Sequence, residues 1–228
     1  MENILNGFAG ALNLILSGDK EVYGIIGLSL GVSFVSVAIS MIFSVPAGIA
    51  IGMNRFPLRR SVIMTINTLM GLPPVIAGLF VYLLLSRSGP LGYLRILHTP
   101  KAMIIAQVLL ISPIITGVTM AAVKNRGELI KNTAYTLGAG KLQILWTLIR
   151  EFRTSIGSSL IAGYGRAISE VGAVMLVGGN IKGYTRVMTT AIILETNMGN
   201  FDQAIAIGIV LLTLFFLINI FLQRIQGA

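Results

Sequence analysis

Arg166 and Glu170 are two charged side chains within an otherwise apolar stretch of the sequence. A charge inside a membrane is costly and is expected to face protein, water or an opposite charge. Because the two residues lie four apart, one helix would place them on the same face, where they can form an ion pair. The pattern predicts either a structural ion pair or a gate that breaks as a transport site changes its access.

Metal and redox chemistry have few possible ligands in this chain. The 228 residues include no cysteine, and His98 is the one histidine. Because zinc sites are built from several imidazole or thiolate ligands, we expect no resident metal. The sequence also lacks the GxxxxGK(S/T) motif that binds nucleotide phosphates, so we expect no enzymatic activity, no bound cofactor and no ATP hydrolysis by this chain.

The composition indicates a membrane protein. Hydrophobic residues make up 55% of the sequence and charged residues 11%, with a mean hydropathy of +0.87. Soluble domains carry about a quarter charged residues. The net charge of +9 does not indicate nucleic-acid binding, because the basic residues lie between long apolar runs and not along one polar face.

Five apolar stretches are long enough to cross a hydrocarbon core of about 30 Å. They cover residues 22–53, 60–86, 101–123, 155–179 and 202–222. We therefore expect an all-α membrane protein whose single transmembrane domain, residues 22–222, follows an amphipathic segment (1–21) and precedes a short tail (223–228). An odd number of spans argues against the two inverted halves common in secondary transporters.

The basic residues also predict the orientation. If the loop between the first two spans lies inside, then the loop 124–153 and the C-terminus lie inside as well, and most Lys and Arg residues fall on that side. We therefore expect an inner-membrane protein with its N-terminus outside and its C-terminus in the cytoplasm.

The loop of residues 124–153 is longer than a connection between two spans requires. Residues 132–137 indicate one short helix, and the sequence after Gly140 repeats apolar residues at the spacing of one face of a second helix. Those apolar residues are Leu142, Leu145, Trp146 and Ile149. The flexible step from Gly138 to Gly140 would let the chain turn sharply between the two helices.

This loop resembles the cytoplasmic EAA loop of type I ABC-importer permeases, in which Glu-Ala-Ala and three further residues precede a glycine. Here Asn132, Thr133 and Ala134 occupy the first positions and Gly138 is the glycine. Two longer blocks, residues 66–92 and 165–195, resemble the tungstate branch of the molybdate and tungstate importers. The resemblance extends from about residue 22 to residue 222.

The resemblance implies a homodimeric permease of the type I fold in the lipid bilayer, with cytoplasmic ATP-binding subunits that hold ATP and magnesium. It also implies an extracytoplasmic binding protein that delivers an oxyanion. The loop would supply the coupling helix that docks on the ATPase. Its docking positions would be Asn132, Thr133, Ala134, Tyr135, Thr136, Leu137, Gly138, Ala139, Gly140, Lys141, Leu142, Gln143 and Ile144.

An oxyanion crossing such a permease needs hydroxyl and backbone N–H donors in place of its hydration shell, and helix ends add positive potential. The candidates for this path are Gly71, Pro73, Pro74, Thr116, Thr119, Gly178, Gly179 and Asn180. For any one of them, packing or helix termination is the commoner explanation. Basic residues of the outer loops, which include Arg87, Arg95 and Lys101, could instead pair with acidic residues of the binding protein.

Three alternatives stay open at this stage. The substrate could be molybdate or another tetrahedral oxyanion, because tungstate and molybdate share their charge and nearly their size. The chain could also be a proton-coupled secondary transporter in which Glu170 titrates. Finally, it could be a structural membrane subunit whose 124–153 loop serves only as an interaction surface.

Overall fold

The computed structural model describes residue 10 and residues 20–54, 56–124 and 126–225. Most of the predicted amphipathic segment 1–21 and the end of the tail, residues 226–228, lie outside the described residues. Throughout the described residues the secondary structure is helical, with turns and one 3-10 helix (Gly92–Leu94), and without a β-strand. The expectation of an all-α protein is confirmed.

The α-helices of the described residues are α1 (Lys20–Met53), α2 (Arg59–Met70), α3 (Pro74–Leu85), α4 (Pro100–Val123), α5 (Gly127–Thr136), α6 (Lys141–Glu151), α7 (Arg153–Ile168), α8 (Gly172–Gly178), α9 (Met188–Asn197) and α10 (Phe201–Ile225). Three of them, α1, α4 and α10, are long and apolar enough to cross a membrane alone. Two more candidate spans arise if the bent pairs α2–α3 and α7–α8 each count as one span. The chain is therefore a multi-pass membrane protein by the length and composition of its helices.

Contacts divide the chain into two compact units. The first unit is drawn from Met1–Ser36, Pro73–Gln107 and Ala167–Phe221, and the second from Val37–Leu72, Val108–Arg166 and Leu222–Ala228. Helices α1 and α4 therefore contribute residues to both units.

In the first unit, α3 packs closely against α8 through small residues. A Cβ atom added at Gly78 would lie only 2.6 Å from the Cα atom of Ala173. Ala77 and Val177 are buried beside this contact. Helix α9 is tied to α1 because the backbone N–H of Met188 donates to the Ser29 hydroxyl at 2.8 Å. Close backbone approach is the usual basis of helix association in lipid, where apolar burial gives little drive.

In the second unit, two glycines four residues apart on α1 face the end of α4. A Cβ atom at Gly48 would lie 2.8 Å from the Thr116 carbonyl oxygen, and one at Gly52 would lie 2.9 Å from the Met120 carbonyl oxygen. The Arg59 guanidinium donates to the carbonyls of Ile51 and Gly52, at 3.1 and 2.9 Å, and so satisfies the C-terminal end of α1.

The structure corrects two premises of the sequence analysis. Helix α7 ends at Ile168, so Arg166 and Glu170 do not lie on one helix face as their spacing of four predicted. The predicted apolar face of α6 is also divided. Leu148 is fully buried and Leu145 and Ile149 are partly buried, whereas Leu142 and Trp146 are exposed.

The contact between α1 and α4 predicts a large effect of substitution at Gly48. We expect Gly48→Val to lower the melting temperature of the purified protein in detergent, because the added side chain meets the α4 backbone. Overpacking of this kind costs about 1–3 kcal/mol. Gly31→Val is the control on the same helix, because no atom lies within 4 Å of a Cβ there. Equal losses of stability in both variants would contradict the proposed packing.

Candidate functional site

The loop between α4 and α7 folds into a helical hairpin, residues 127–151, which we call the coupling hairpin. Helix α5 ends in a Schellman motif: Gly138 has a φ of +82°, its N–H donates to the Tyr135 carbonyl, and the Ala139 N–H donates to the Ala134 carbonyl, both at 3.0 Å. Glycine favours this left-handed position because it has no Cβ atom. The sharp turn expected at this step is therefore present.

The second helix of the hairpin has its own start signal. Gly140 is the N-cap of α6, and its N–H donates to the Gln143 side-chain oxygen at 2.7 Å. This bond satisfies a backbone donor outside the first turn of the helix. Both sides of the turn are thus fixed by local hydrogen bonds within residues 134–143.

The base of the coupling hairpin is anchored within the second unit. The Lys131 ammonium donates to the Asn54 side-chain oxygen at 3.0 Å, and a Cβ atom at Gly127 would lie 2.9 Å from Cγ of Met53. Leu148 is fully buried on α6. These contacts join the hairpin to the end of α1.

Large apolar side chains around the turn of the hairpin are exposed. We call Tyr135, Leu137, Leu142 and Trp146 the coupling patch, and their exposed fractions are 73%, 82%, 82% and 72%. Leu142 and Trp146 lie one helical turn apart on α6. An apolar surface of this kind on an otherwise anchored element is typical of a protein-interaction or membrane-interaction site.

Glu170 lies at the break between α7 and α8 and is buried. One of its carboxylate oxygens accepts the N–H of Ala173 at 3.0 Å, and its main-chain carbonyl accepts the Thr189 hydroxyl at 2.9 Å. The residue therefore ties the start of α8 to the start of α9. Arg166 lies in the last turn of α7. The choice between a gate and a structural ion pair for these two residues stays a prediction.

The two threonines predicted for the anion path are packed in the second unit. Thr119 is fully buried, and its hydroxyl lies 3.3 Å from that of Ser159. The backbone of Thr116 contacts Gly48 of α1. Both residues thus take part in helix contacts.

The two helix ends predicted for the path have capping roles. Gly71 ends α2, and its N–H donates to the Thr68 carbonyl. Pro73 and Pro74 begin α3. The start of a helix suits proline because the N–H that proline lacks has no partner within the helix at that position. Gly178 ends α8 and its carbonyl accepts the Thr185 hydroxyl at 2.7 Å. Gly179 and Asn180 follow with φ of +75° and +50°.

Residues 44–228 match the family described as binding-protein-dependent transport system inner membrane component. This match covers most of the chain. The chain belongs to this family. It is therefore a permease, a transport subunit and not an enzyme, and the resemblance of the chain to importer permeases is confirmed.

The sequences of several known permeases match this chain over almost its whole length. It is 48% identical to the tungstate uptake system permease protein TupB of Peptoclostridium acidaminophilum, over 99% of both chains. It is 34% identical to a protein of the same name from Campylobacter jejuni, over 99% of this chain and 95% of the relative. A sulfate transport system permease protein of Synechocystis is 26% identical, over 91% of this chain and 78% of the relative.

The structure also contains a groove of about 1100 Å³, lined by both polar and apolar side chains, that the sequence analysis did not predict. We call it the outer groove, and its lining residues are Tyr82, Leu85, Ser86, Arg87, Gly92, Tyr93, Arg95, Leu97 and His98. The sequence analysis treated Arg87 and Arg95 only as loop charges. The sequence signal that could have predicted this groove was the cluster of arginine and tyrosine residues between two predicted spans.

The coupling patch predicts the fluorescence of the permease, because Trp146 is the one tryptophan in the sequence. In lipid nanodiscs without partner subunits we expect emission typical of a water-exposed indole and efficient quenching by acrylamide, a neutral quencher unaffected by nearby charges. A Trp146→Phe variant gives the background signal. Blue-shifted emission that resists quenching would show that the hairpin covers this side chain itself.

Proposed function

We propose that the permease imports tungstate across the cytoplasmic membrane, working as one half of a homodimeric pore driven by a separate ATPase. The observation that carries the ATP-driven part is the coupling hairpin, which is fixed at its base and apolar and exposed at its turn. The substrate is supported by the two tungstate uptake permeases that resemble this chain over almost its whole length.

The coupling hairpin suits docking into a groove of another protein. Residues 132–144 contain the turn and three of the four residues of the coupling patch, with Trp146 one turn further along α6. Burial of a side chain such as leucine or tryptophan contributes about 1.5–3 kcal/mol, and aromatic anchors commonly dominate interfaces. We propose that the partner on this surface is the ATP-binding subunit and that ATP and magnesium bind there, whereas this chain binds no cofactor.

The hairpin also fits the cytoplasmic side by its charge. Lys124, Arg126, Lys131, Lys141 and Arg150 lie in or beside it, and basic loops favour the inside of a membrane. We propose the orientation that follows: the N-terminus outside, the C-terminus inside, and one transmembrane domain over residues 22–222.

Exposed apolar side chains along the long helices are available to lipid and to a second copy of the chain. Phe34 and Ile42 of α1 and Leu212 and Phe216 of α10 are each well over half exposed. We propose that part of this surface pairs with the second copy. Arg166 and Glu170 would form either a gate or a structural ion pair.

Gly138 gives a test of the coupling hairpin at a single position. We expect Gly138→Val to reduce copurification of the ATPase and vanadate-sensitive tungstate uptake about tenfold, because a branched residue in the left-handed region costs about 1–2 kcal/mol. Gly138→Asn is the matched control, because asparagine tolerates this backbone conformation. We expect this variant to retain most of the ATPase copurification and most of the tungstate uptake. Tungstate uptake that follows a proton gradient and ignores vanadate would instead favour a secondary transporter.

Competition in proteoliposomes that contain the complete transporter and its binding protein tests the substrate. We expect unlabelled tungstate and molybdate to inhibit uptake of labelled tungstate, with sulfate requiring at least about tenfold higher concentration, a difference of about 1.4 kcal/mol. Equal inhibition by sulfate and tungstate would contradict assignment to tungstate and would indicate a general oxyanion importer.

A further inference from the structure

The outer groove lies in the first unit, between the end of α3 and the start of α4. The coupling hairpin follows the other end of α4. Because a span has its two ends on opposite sides of the membrane, the groove faces outward if the hairpin faces the cytoplasm. In the proposed orientation, the groove therefore lies on the side from which the substrate arrives.

The described residues that line the outer groove include cationic and hydroxyl donors. None of these lining residues is a carboxylate. Arg87 and Arg95 supply guanidinium groups, and Tyr82 and Tyr93 supply phenolic hydroxyls. The sequence has no Asp or Glu at all between residues 22 and 127. Guanidinium N–H groups form strong charge-assisted bonds to oxyanions, and tyrosine hydroxyls add neutral donors.

Two residues that line the outer groove have an unusual backbone conformation. Arg95 and His98 have φ of +52° and +59°, in the left-handed region that residues other than glycine seldom adopt. The His98 N–H donates to the Val177 carbonyl at 2.9 Å, and the His98 ring lies 6.3 Å from the ring of Tyr82. Such conformations concentrate at functional sites, where surrounding contacts stabilise them.

His98 connects the outer groove to the turn that follows α8. A Cβ atom at Gly179 would lie 2.9 Å from Nδ1 of His98, so this turn needs glycine for the ring to approach. The next residue, Asn180, has a buried side-chain oxygen without a hydrogen-bond partner in the described residues. The groove thus adjoins one of the helix ends predicted for the anion path.

We propose that the outer groove is a binding site for a free tetrahedral oxyanion on the permease itself, occupied before the anion enters the pore. This inference rests on the proposed function for the identity of the oxyanion. Arginine and tyrosine side chains that line one concave site suit a small dianion, because their N–H and O–H donors can replace part of its hydration shell. The site would retain an anion released near the membrane surface and so favour entry over escape.

Direct binding to the transporter tests the groove. The complex of permease and ATPase is purified in dodecyl maltoside, which carries no phosphate, and titrated calorimetrically with sodium tungstate without ATP or binding protein. We expect saturable binding that Arg95→Gln and Tyr93→Phe weaken, the former about tenfold or more because a charge-assisted hydrogen bond is lost. Lys101→Gln is the matched control, because it removes one positive charge three residues after His98 in the sequence, at a residue that does not line the groove.

Several outcomes would overturn the inference. Tungstate binding that is absent, or equal in wild type, Arg95→Gln and Lys101→Gln, excludes the site, provided that the variants melt at the wild-type temperature. If Arg95→Gln leaves tungstate binding unchanged but weakens association with phosphatidylglycerol vesicles, the groove holds a lipid headgroup. If it weakens only capture of the binding protein, the groove is a docking surface for that protein.

The proposed function is tested separately by wild-type uptake. Vanadate-sensitive tungstate uptake without calorimetric tungstate binding would overturn the groove site and leave the proposed function intact. Saturable binding of tungstate that depends on Arg95, in a transporter that does not take up tungstate, would overturn the proposed substrate while the groove site stands.

Discussion

The absence of water in the bilayer core is the constraint on which the rest of this structure depends. Every backbone N–H and carbonyl within the membrane needs a partner in the protein, so the chain crosses as helices and can break only where other groups take over. At the break after α2, the N–H groups of Gly71 and Leu72 donate to the carbonyls of Thr68 and Leu69. At the break before α8, the Glu170 carboxylate accepts the Ala173 N–H and the Thr189 hydroxyl donates to the Glu170 carbonyl.

The same constraint explains where glycine is used. Inside the two units, Gly48, Gly52 and Gly78 bring helix backbones close together, because tight packing replaces the hydrophobic drive that lipid does not supply. In the coupling hairpin, Gly138 has open space around it and is needed for its positive φ. One residue type thus serves packing in the membrane and chain reversal outside it.

The two candidate surfaces differ in chemistry as their proposed partners do. The coupling patch is apolar, which suits a stable contact with a protein that transmits movement. The outer groove is cationic and rich in hydroxyl groups, which suits brief binding of a small anion. In the sequence the outer groove precedes α4 and the coupling patch follows it, so the two proposals concern separate surfaces.

The sequence by itself determined the features that depend on local properties. The length of the apolar runs predicted the all-α membrane class, and Gly138 predicted the turn of the hairpin. Periodicity was less reliable: the helix ends before Glu170, and Leu142 and Trp146 lie away from buried Leu148. Only the tertiary structure decided which face of α6 packs. It also brought Tyr82, Arg95 and His98 into one groove. The packing and the groove both depend on contacts between residues that are distant along the chain or lie on different elements.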